Sequence, residues 1–521
     1  MLGRAWGCAV KGVSGLTVAV ECDHHRGLPC IDIVGLPDAG VKEAGSRVRP
    51  ALRNMGFEFP MARLTINLAP AWEHKLGVGL DLPMAISVLM ASGQLPEACT
   101  ERSALMGELA LDGRVLPVRG VLPGCIAVAS QGLKSVVVPN GNYGEARLVP
   151  GLTVVPVGDL RQAARFLESG EIPPEPHGPP GPHGAPGVSG SGACEMSATA
   201  GSGLDFVHVL GQQAAVRAME VALAGGHHIV LIGPPGTGKT MLAMCAPSAL
   251  PPLSDDEWVE AASIRSLSGD GLSEAVSRVR PFRQPNRTTT LAGMLGGGSP
   301  PVPGEVTLAH KGLLFLDEFA QFAPGVISAL SEPMEKRNVR LIRGGSPVSF
   351  PADFILVAST NPCACGMRGH RSEECSCTPS ILASHRRRLS GPTADRIDIW
   401  VDVPRREAAA VSGFEHGAST SELRKRIAAA RARQAERYGR PGSTNSHATA
   451  DALPQLLRRS SKAAAVARAA ADRFHLSARG FHSVIKVART VADLDGQADI
   501  GEEHVLEALG YRACRFGGVE R

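Results

Sequence analysis

Apolar residues recur along this chain in two rhythms, and a break separates its parts. Up to residue 170, short strand-type runs (Leu16-Thr-Val-Ala-Val20, Leu64-Thr-Ile-Asn67, Ser135-Val-Val-Val138) alternate with helix-type runs around Val41 to Met55 and Leu82 to Ala91. Short β-branched runs fit strands, and longer runs with three- and four-residue spacing fit helices. Residues 1–170 are therefore expected to form an α/β or α+β domain with its own core. Residues 171–203 carry Pro173-Pro174, Pro179-Pro180 and Ser189-Gly-Ser-Gly192 with almost no large apolar residue. Such a stretch cannot bury a core and reads as a linker. Residues 204–404 return to apolar runs and read as a second α/β unit, whereas 405–521 read as helical. Helices are expected from Ser421-Glu-Leu-Arg-Lys-Arg-Ile427, from Ala464 to Phe474, from Ser477 to Asp493 and from Gly501 to Leu509.

The second unit carries the chemistry. After the apolar run Ile229 to Ile232 comes Gly233-Pro234-Pro235-Gly236-Thr237-Gly238-Lys239-Thr240, and then Met241-Leu-Ala, which reads as the first turns of a helix. Strand, glycine-rich loop and helix in that order are what a P-loop requires. The glycines let backbone N–H groups turn inward around phosphates, where a Cβ would block the approach. Lys239 would reach the β- and γ-phosphates of ATP, and the Thr240 hydroxyl would ligate Mg²⁺. The helix start adds a positive dipole end.

Hydrolysis needs more. Gly312-Leu-Leu-Phe-Leu-Asp-Glu-Phe319 is an apolar strand ending in two acids. Asp317 at its tip would hold the Mg²⁺ shell and Glu318 would polarise the attacking water. A third run, Phe354-Ile-Leu-Val-Ala-Ser359, leads into Thr360-Asn361-Pro362, where the Asn361 amide could sense the γ-phosphate.

These motifs, with Ser390-Gly-Pro-Thr-Ala-Asp-Arg-Ile-Asp398, resemble the AAA+ ATPases of the magnesium-chelatase/MCM branch, and more narrowly the YifB/ComM-type magnesium-chelatase-like proteins. Gly35-Leu-Pro-Asp-Ala-Gly-Val-Lys-Glu43, Asn67-Leu-Ala-Pro70, Gly107-Glu-Leu-Ala-Leu-Asp-Gly113 and Leu476-Ser-Ala-Arg-Gly480 extend the resemblance over nearly the whole chain apart from the linker. It implies a P-loop AAA+ core at 204–404, a helical lid at 405–521 and an N-terminal domain like the C-terminal module of Lon protease. It also implies an active site shared between subunits of a homo-hexamer, with Arg396 as the arginine finger and Arg479 as the second sensor arginine. Arg386, Arg387 and Arg388 compete for the finger role, but as a basic cluster they fit contact with solvent, a neighbour or nucleic acid. No Gly-x-Ser-x-Gly turn accompanies the Lon-like domain, and Val78 stands where the family often has Ser, so proteolysis is not expected. Lys75 is expected to be a surface or contact residue.

One cluster stands outside this scheme. Cys363-Ala-Cys365 and Cys375-Ser-Cys377 place four thiols close enough for tetrahedral Zn²⁺, although one-residue spacing within each pair strains chelation and makes an iron–sulfur cluster less natural. Chance clustering and a redox pair remain as alternatives, with His370 and His385 as substitute ligands.

Composition limits the rest. Charged residues are 20% of the chain, aromatics 4%, and net charge is only +4, too small to establish a nucleic-acid partner. From Ser380 onward, however, 24 Lys/Arg face 16 Asp/Glu. No apolar stretch approaches the roughly 18 residues of a membrane span, and no secretory signal is apparent. With the cysteines otherwise scattered, a cytoplasmic location is expected. Two glycine-bearing segments, Met294-Leu-Gly-Gly-Gly-Ser-Pro300 and Arg340-Leu-Ile-Arg-Gly-Gly-Ser346, resemble pore-facing insertions of DNA-translocating relatives, with Arg343 near the tip of the second. Two departures weaken that match: Gly345 replaces a basic residue, and Asn286-Arg287 replaces a His-His pair. Two functions follow: an ATP-driven ring motor on single-stranded or branched DNA, acting in uptake or recombination, or an assembly ATPase that remodels a protein partner.

Overall fold

The computed structural model describes residues 2–75, 79–176, 204–269, 278–298, 301–343, 346–368, 374–405, 417–449, 451–452 and 461–517. Of the expected linker, residues 171–176 carry no regular element and the remainder lies outside the described residues.

The N-terminal region is a mixed seven-stranded sheet. Its strand order is Cys30–Val34, Arg63–Ala69, Ser14–His25, Gly3–Lys11, Ser103–Leu105, Ser135–Pro139, Thr153–Val157. Helix Asp81–Ala91 is buried along its whole length, which explains why its sequence is apolar all round rather than on one stripe. It packs between the sheet and helix Ala39–Asn54, whose first turn is capped by the Asp38 carboxylate accepting from the Val41 N–H. Arg47 reaches from that helix to the buried Asp81, with Nε donating to Oδ2 at 2.6 Å. Lys75 is a correction to the expected surface position: the residue is fully buried. Its ammonium donates to the carbonyls of Gly35 and Pro70, and burial pushes its pKa down. Nothing in the local sequence marks a lysine for burial; the accepting carbonyls lie in two separate turns.

The second region holds a five-stranded sheet in the order Phe282–Arg283, Leu313–Leu316, Ile355–Thr360, Ile229–Ile232, Ile399–Asp402, with every pairing parallel. Leu313–Leu316 and Ile355–Thr360 are buried at every residue, as strands covered on both faces must be, so their sequences run apolar without alternation. The strand that feeds the P-loop sits between two strands that come much later in the chain. A sheet of this kind opens a crevice at the C-terminal ends of its strands.

Helices Thr420–Tyr438, Ser461–Arg473, Ala478–Leu494 and Glu502–Gly517 follow. Ser419 and Glu422 form a capping box on the first, and Ser477 caps the third by accepting from the Gly480 N–H. These helices share one apolar core with the sheet: Ile427, Val484, Val491 and Val505 cluster with Ile229, Leu231, Phe315 and Val401. The N-terminal region meets the second through helix Asp255–Ser268. The Gly120 N–H donates to the Ser266 carbonyl at 3.0 Å, and Ala262 joins the apolar cluster of Val121, Leu122 and Cys125. Among the described residues, no helix is long and apolar enough to cross a membrane.

Candidate active site

The loop after Ile229–Ile232 runs into helix Lys239–Ala249, so the glycine-rich segment lies at the C-terminal edge of the sheet with a helix N-terminus behind it. Gly233 cannot carry a side chain: an added Cβ would lie 2.2 Å from the Val403 carbonyl oxygen. Lys239 is buried here, and burial pushes its ammonium pKa down. Its Nζ donates to the carbonyls of Gly233 and Pro234, both at 2.7 Å, and faces Asn361 Oδ1 at 3.3 Å. The structure thus brings Lys239 and Asn361 together from the segments that follow two adjoining strands of the sheet. Pro235, Gly236, Thr237 and Gly238 complete the loop, with the Thr237 hydroxyl donating to the Pro234 carbonyl at 3.1 Å.

Thr240 Oγ1 lies 3.5 Å from Asp317 Oδ2. A hydroxyl and a carboxylate are hard oxygen donors that suit Mg²⁺. Ser359 was not anticipated. Its hydroxyl donates to Asp317 Oδ1 and accepts from the Glu318 N–H at 3.1 Å, which orients both acids. Its only sequence signal is a place at the tip of the neighbouring strand, two residues before Asn361. Glu318 adopts a left-handed backbone conformation, φ 54°, rare for a residue with a side chain and characteristic of functional turns. Its carboxylate pairs with Arg287, whose Nη1 also donates to Gln321 Oε1 at 2.7 Å. Arg287, one of the two departures from the family pattern, therefore touches the acid expected to orient water.

A cleft of about 350 Å³ adjoins these groups, lined by Glu318, Gln321, Asn361, Cys363, His385 and Arg388 among others. The His385 Nε2 hydrogen-bonds to the Asn361 carbonyl at 3.0 Å, and Arg388 donates to the Ala320 carbonyl at 2.9 Å. His385 is thus tied to the backbone after strand Ile355–Thr360 rather than to a thiol, and His370 lies outside the described residues.

Arg396 and Arg479 are elsewhere. Arg396 precedes strand Ile399–Asp402, which runs parallel to Ile229–Ile232 with Ile229 opposite Ile399. It therefore projects from the N-terminal edge of the sheet, whereas the P-loop leaves the C-terminal edge. There Arg396 Nε donates to Glu335 Oε2 at 3.1 Å and Nη1 to the Pro392 carbonyl at 2.6 Å, while Arg479 pairs with the other oxygen of the same Glu335. The two guanidiniums, Arg396 foremost, hold the Glu335 carboxyl below the usual carboxylate range.

The segments expected to face a pore also meet. Met294 and Val339 belong to one apolar cluster, against which Leu295 and Leu341 pack. Strands Asn338–Arg343 and Ser346–Pro351 form an antiparallel hairpin, and Gly296–Gly297 pairs with Val302–Pro303. The Arg343 side chain and residues 344–345 at the hairpin tip lie outside the described residues.

Comparison with known sequences agrees with this architecture. "Magnesium chelatase, subunit ChlI" matches residues 205–411, "Subunit ChlI of Mg-chelatase" matches 20–142, and "Magnesium chelatase, subunit ChlI C-terminal" matches 417–512. The chain is thus magnesium-chelatase-like. It is 40% identical to an uncharacterized protein of Mycobacterium tuberculosis, over 98% of both chains. It is 36% identical to competence protein ComM of Haemophilus influenzae and 37% identical to uncharacterized protein YifB of Escherichia coli, each over 97% of this chain and 96% of the relative. It belongs to the YifB/ComM-type magnesium-chelatase-like proteins.

Proposed function

We propose that this protein is an ATP-hydrolysing ring motor that works on DNA in the cytoplasm. One observation carries the ATPase part: Lys239, Thr240, Asp317, Glu318 and Asn361 gather at one edge of the sheet, while Arg396 and Arg479 gather at the other. In this reading Lys239 leaves its loop carbonyls for the β- and γ-phosphates, and the helix start behind it favours the same negative charge. Thr240 and Asp317 would hold Mg²⁺, which supplies neutralisation of phosphate charge. Glu318, once free of Arg287, orients the attacking water, and Asn361 hydrogen-bonds the γ-phosphate. Arg396 of the partner subunit stabilises charge on the transferred group, with Arg479 beside it. A closed ring, a hexamer by resemblance, satisfies every such interface.

DNA as the substrate is supported by the paired pore segments, by the basic excess beyond Ser380, and by the similarity to a competence protein. The Lon-like N-terminal domain is read as non-proteolytic, since Lys75 is engaged by backbone carbonyls. A second reading, remodelling of a protein partner, is favoured by the three ChlI matches. ATP turnover measured without DNA and with single-stranded, duplex and four-way-junction DNA separates the two. Stimulation by single-stranded or branched DNA supports the motor. Failure of forked or branched DNA both to stimulate turnover and to bind at low salt removes it.

A further inference from the structure

Four thiols converge beside the γ-phosphate cleft. The Cys363 sulfur lies 3.4 Å from that of Cys365 and 3.7 Å from that of Cys375, and Cys365 and Cys375 are 3.6 Å apart. With Cys377 included, all four sulfurs lie within 4.8 Å of one another. A tetrahedral Zn²⁺ with Zn–S of about 2.3 Å has sulfur–sulfur edges of about 3.8 Å. A disulfide would hold its sulfurs at about 2.05 Å. The observed separations thus suit four bonds to one central ion rather than two bonds between sulfurs. Backbone N–H groups support the sulfurs, as they do around metal-bound thiolates: Cys365 N–H donates to Cys377 Sγ and Arg368 N–H to Cys363 Sγ, both at 3.4 Å. Soft thiolate ligands select Zn²⁺ over Mg²⁺, so the site is chemically distinct from the pair Thr240 and Asp317.

The one-residue spacing is accommodated by a turn. Gly366 sits at φ 82°, and an added Cβ there would come within 2.9 Å of Pro235 in the P-loop. The knuckle therefore packs directly on the phosphate-binding loop.

Its other side holds a helix without buried residues of its own. Helix Pro379–Arg388 begins two residues after Cys377, is capped by Thr378, and contains no buried residue among its ten. Yet it delivers His385 to the Asn361 carbonyl and Arg388 to the Ala320 carbonyl, which stands two residues beyond Glu318. An element with no buried residue of its own is held by its ends, where Leu389 packs against the Phe319 cluster, and by its polar contacts. The thiol loop joins its N-terminal end to the strand carrying Asn361.

We propose that Cys363, Cys365, Cys375 and Cys377 bind one Zn²⁺, and that the closed knuckle positions Asn361 by clamping the sensor strand, helix Pro379–Arg388 and the P-loop together. The positioning half rests on the ATPase reading above; the metal half does not.

The test uses the full chain purified without chelator. Elemental analysis is expected to find about one zinc per chain, and titration with a mercurial is expected to release it, read with a zinc-sensitive dye, as the four thiols react. Free reaction of all four thiols with no zinc released, a disulfide, or iron in place of zinc overturns the site. The double variant Cys375→Ser/Cys377→Ser is expected to lose zinc and retain nucleotide binding, with kcat about tenfold lower or more and half-saturating ATP little changed. Unchanged kcat in a zinc-free, folded variant overturns the positioning role. If the variant fails to fold, the mercurial titration of the wild type still decides the site. Zinc bound by a chain that never hydrolyses ATP would instead count against the ATPase reading and leave the site standing.

Discussion

The two edges of the parallel sheet carry the two groups of residues that the proposed ATPase needs, and they are built differently. At the C-terminal edge, Lys239 is buried and faces Asn361, while Asp317 stands within hydrogen-bond reach of both Thr240 and Ser359. At the N-terminal edge, Arg479 is 44% exposed and shares with Arg396 a single glutamate, Glu335, that is 45% exposed. Between the edges lies a four-residue strand, which rises roughly 13 Å, so no side chain of one edge serves the other within a chain. In the proposed ATPase the fold assembles the first group, and the second meets a nucleotide only in a neighbour. In both groups the charge is paired within the chain: Glu318 with Arg287, and the two arginines with Glu335.

That contrast can be broken from either side. The largest effect is expected for Arg396→Ala, because an arginine finger contributes on the order of a thousandfold to turnover. The variant should bind ATP as an isolated chain almost normally, so nucleotide titration beside a turnover assay reads both. Turnover close to wild type would remove the finger role. Next comes Glu318→Gln, with turnover down on the order of a hundredfold and ATP retained in assembled rings. Here the decisive reading is trapped nucleotide; loss of binding would mean that Glu318 holds the ligand rather than the water.

Smaller changes sharpen the comparison. Arg287→Ala is expected to raise DNA-independent turnover up to about fivefold, since an exposed ion pair is worth up to about 1 kcal/mol. A fall would show that Arg287 helps the reaction. Glu335→Gln is expected to lower half-saturating ATP about two- to threefold by releasing the arginines to a partner's phosphate. A rise, or no change, would mean the glutamate does not compete with nucleotide.

What the sequence disclosed about these halves follows from how each is encoded. The P-loop is eight consecutive residues, and Asp317-Glu318 ends an apolar run, so local order alone marks them. The strands and helices were legible for a similar reason: Leu64 to Asn67 lies in strand Arg63–Ala69, and the run from Ser477 marks helix Ala478–Leu494. Ser359 and Arg287 were not legible, because only the alignment of strands and a loop from residue 287 bring them to the acids. Glu335 is 61 residues from Arg396 and 144 from Arg479, and no local pattern connects them. Lys75 was misread for the same reason, since its burial depends on two distant carbonyls.

The central claim is that one working site needs the C-terminal edge of one chain and the N-terminal edge of another. Mixing Arg396→Ala chains with Glu318→Gln chains tests it most directly, because each is inactive alone and lacks a different half. Some interfaces in mixed rings then pair an intact Glu318 with an intact Arg396. Turnover on mixing should recover in part. No recovery, with mixed rings demonstrated by cross-linking or native mass analysis, would contradict the account.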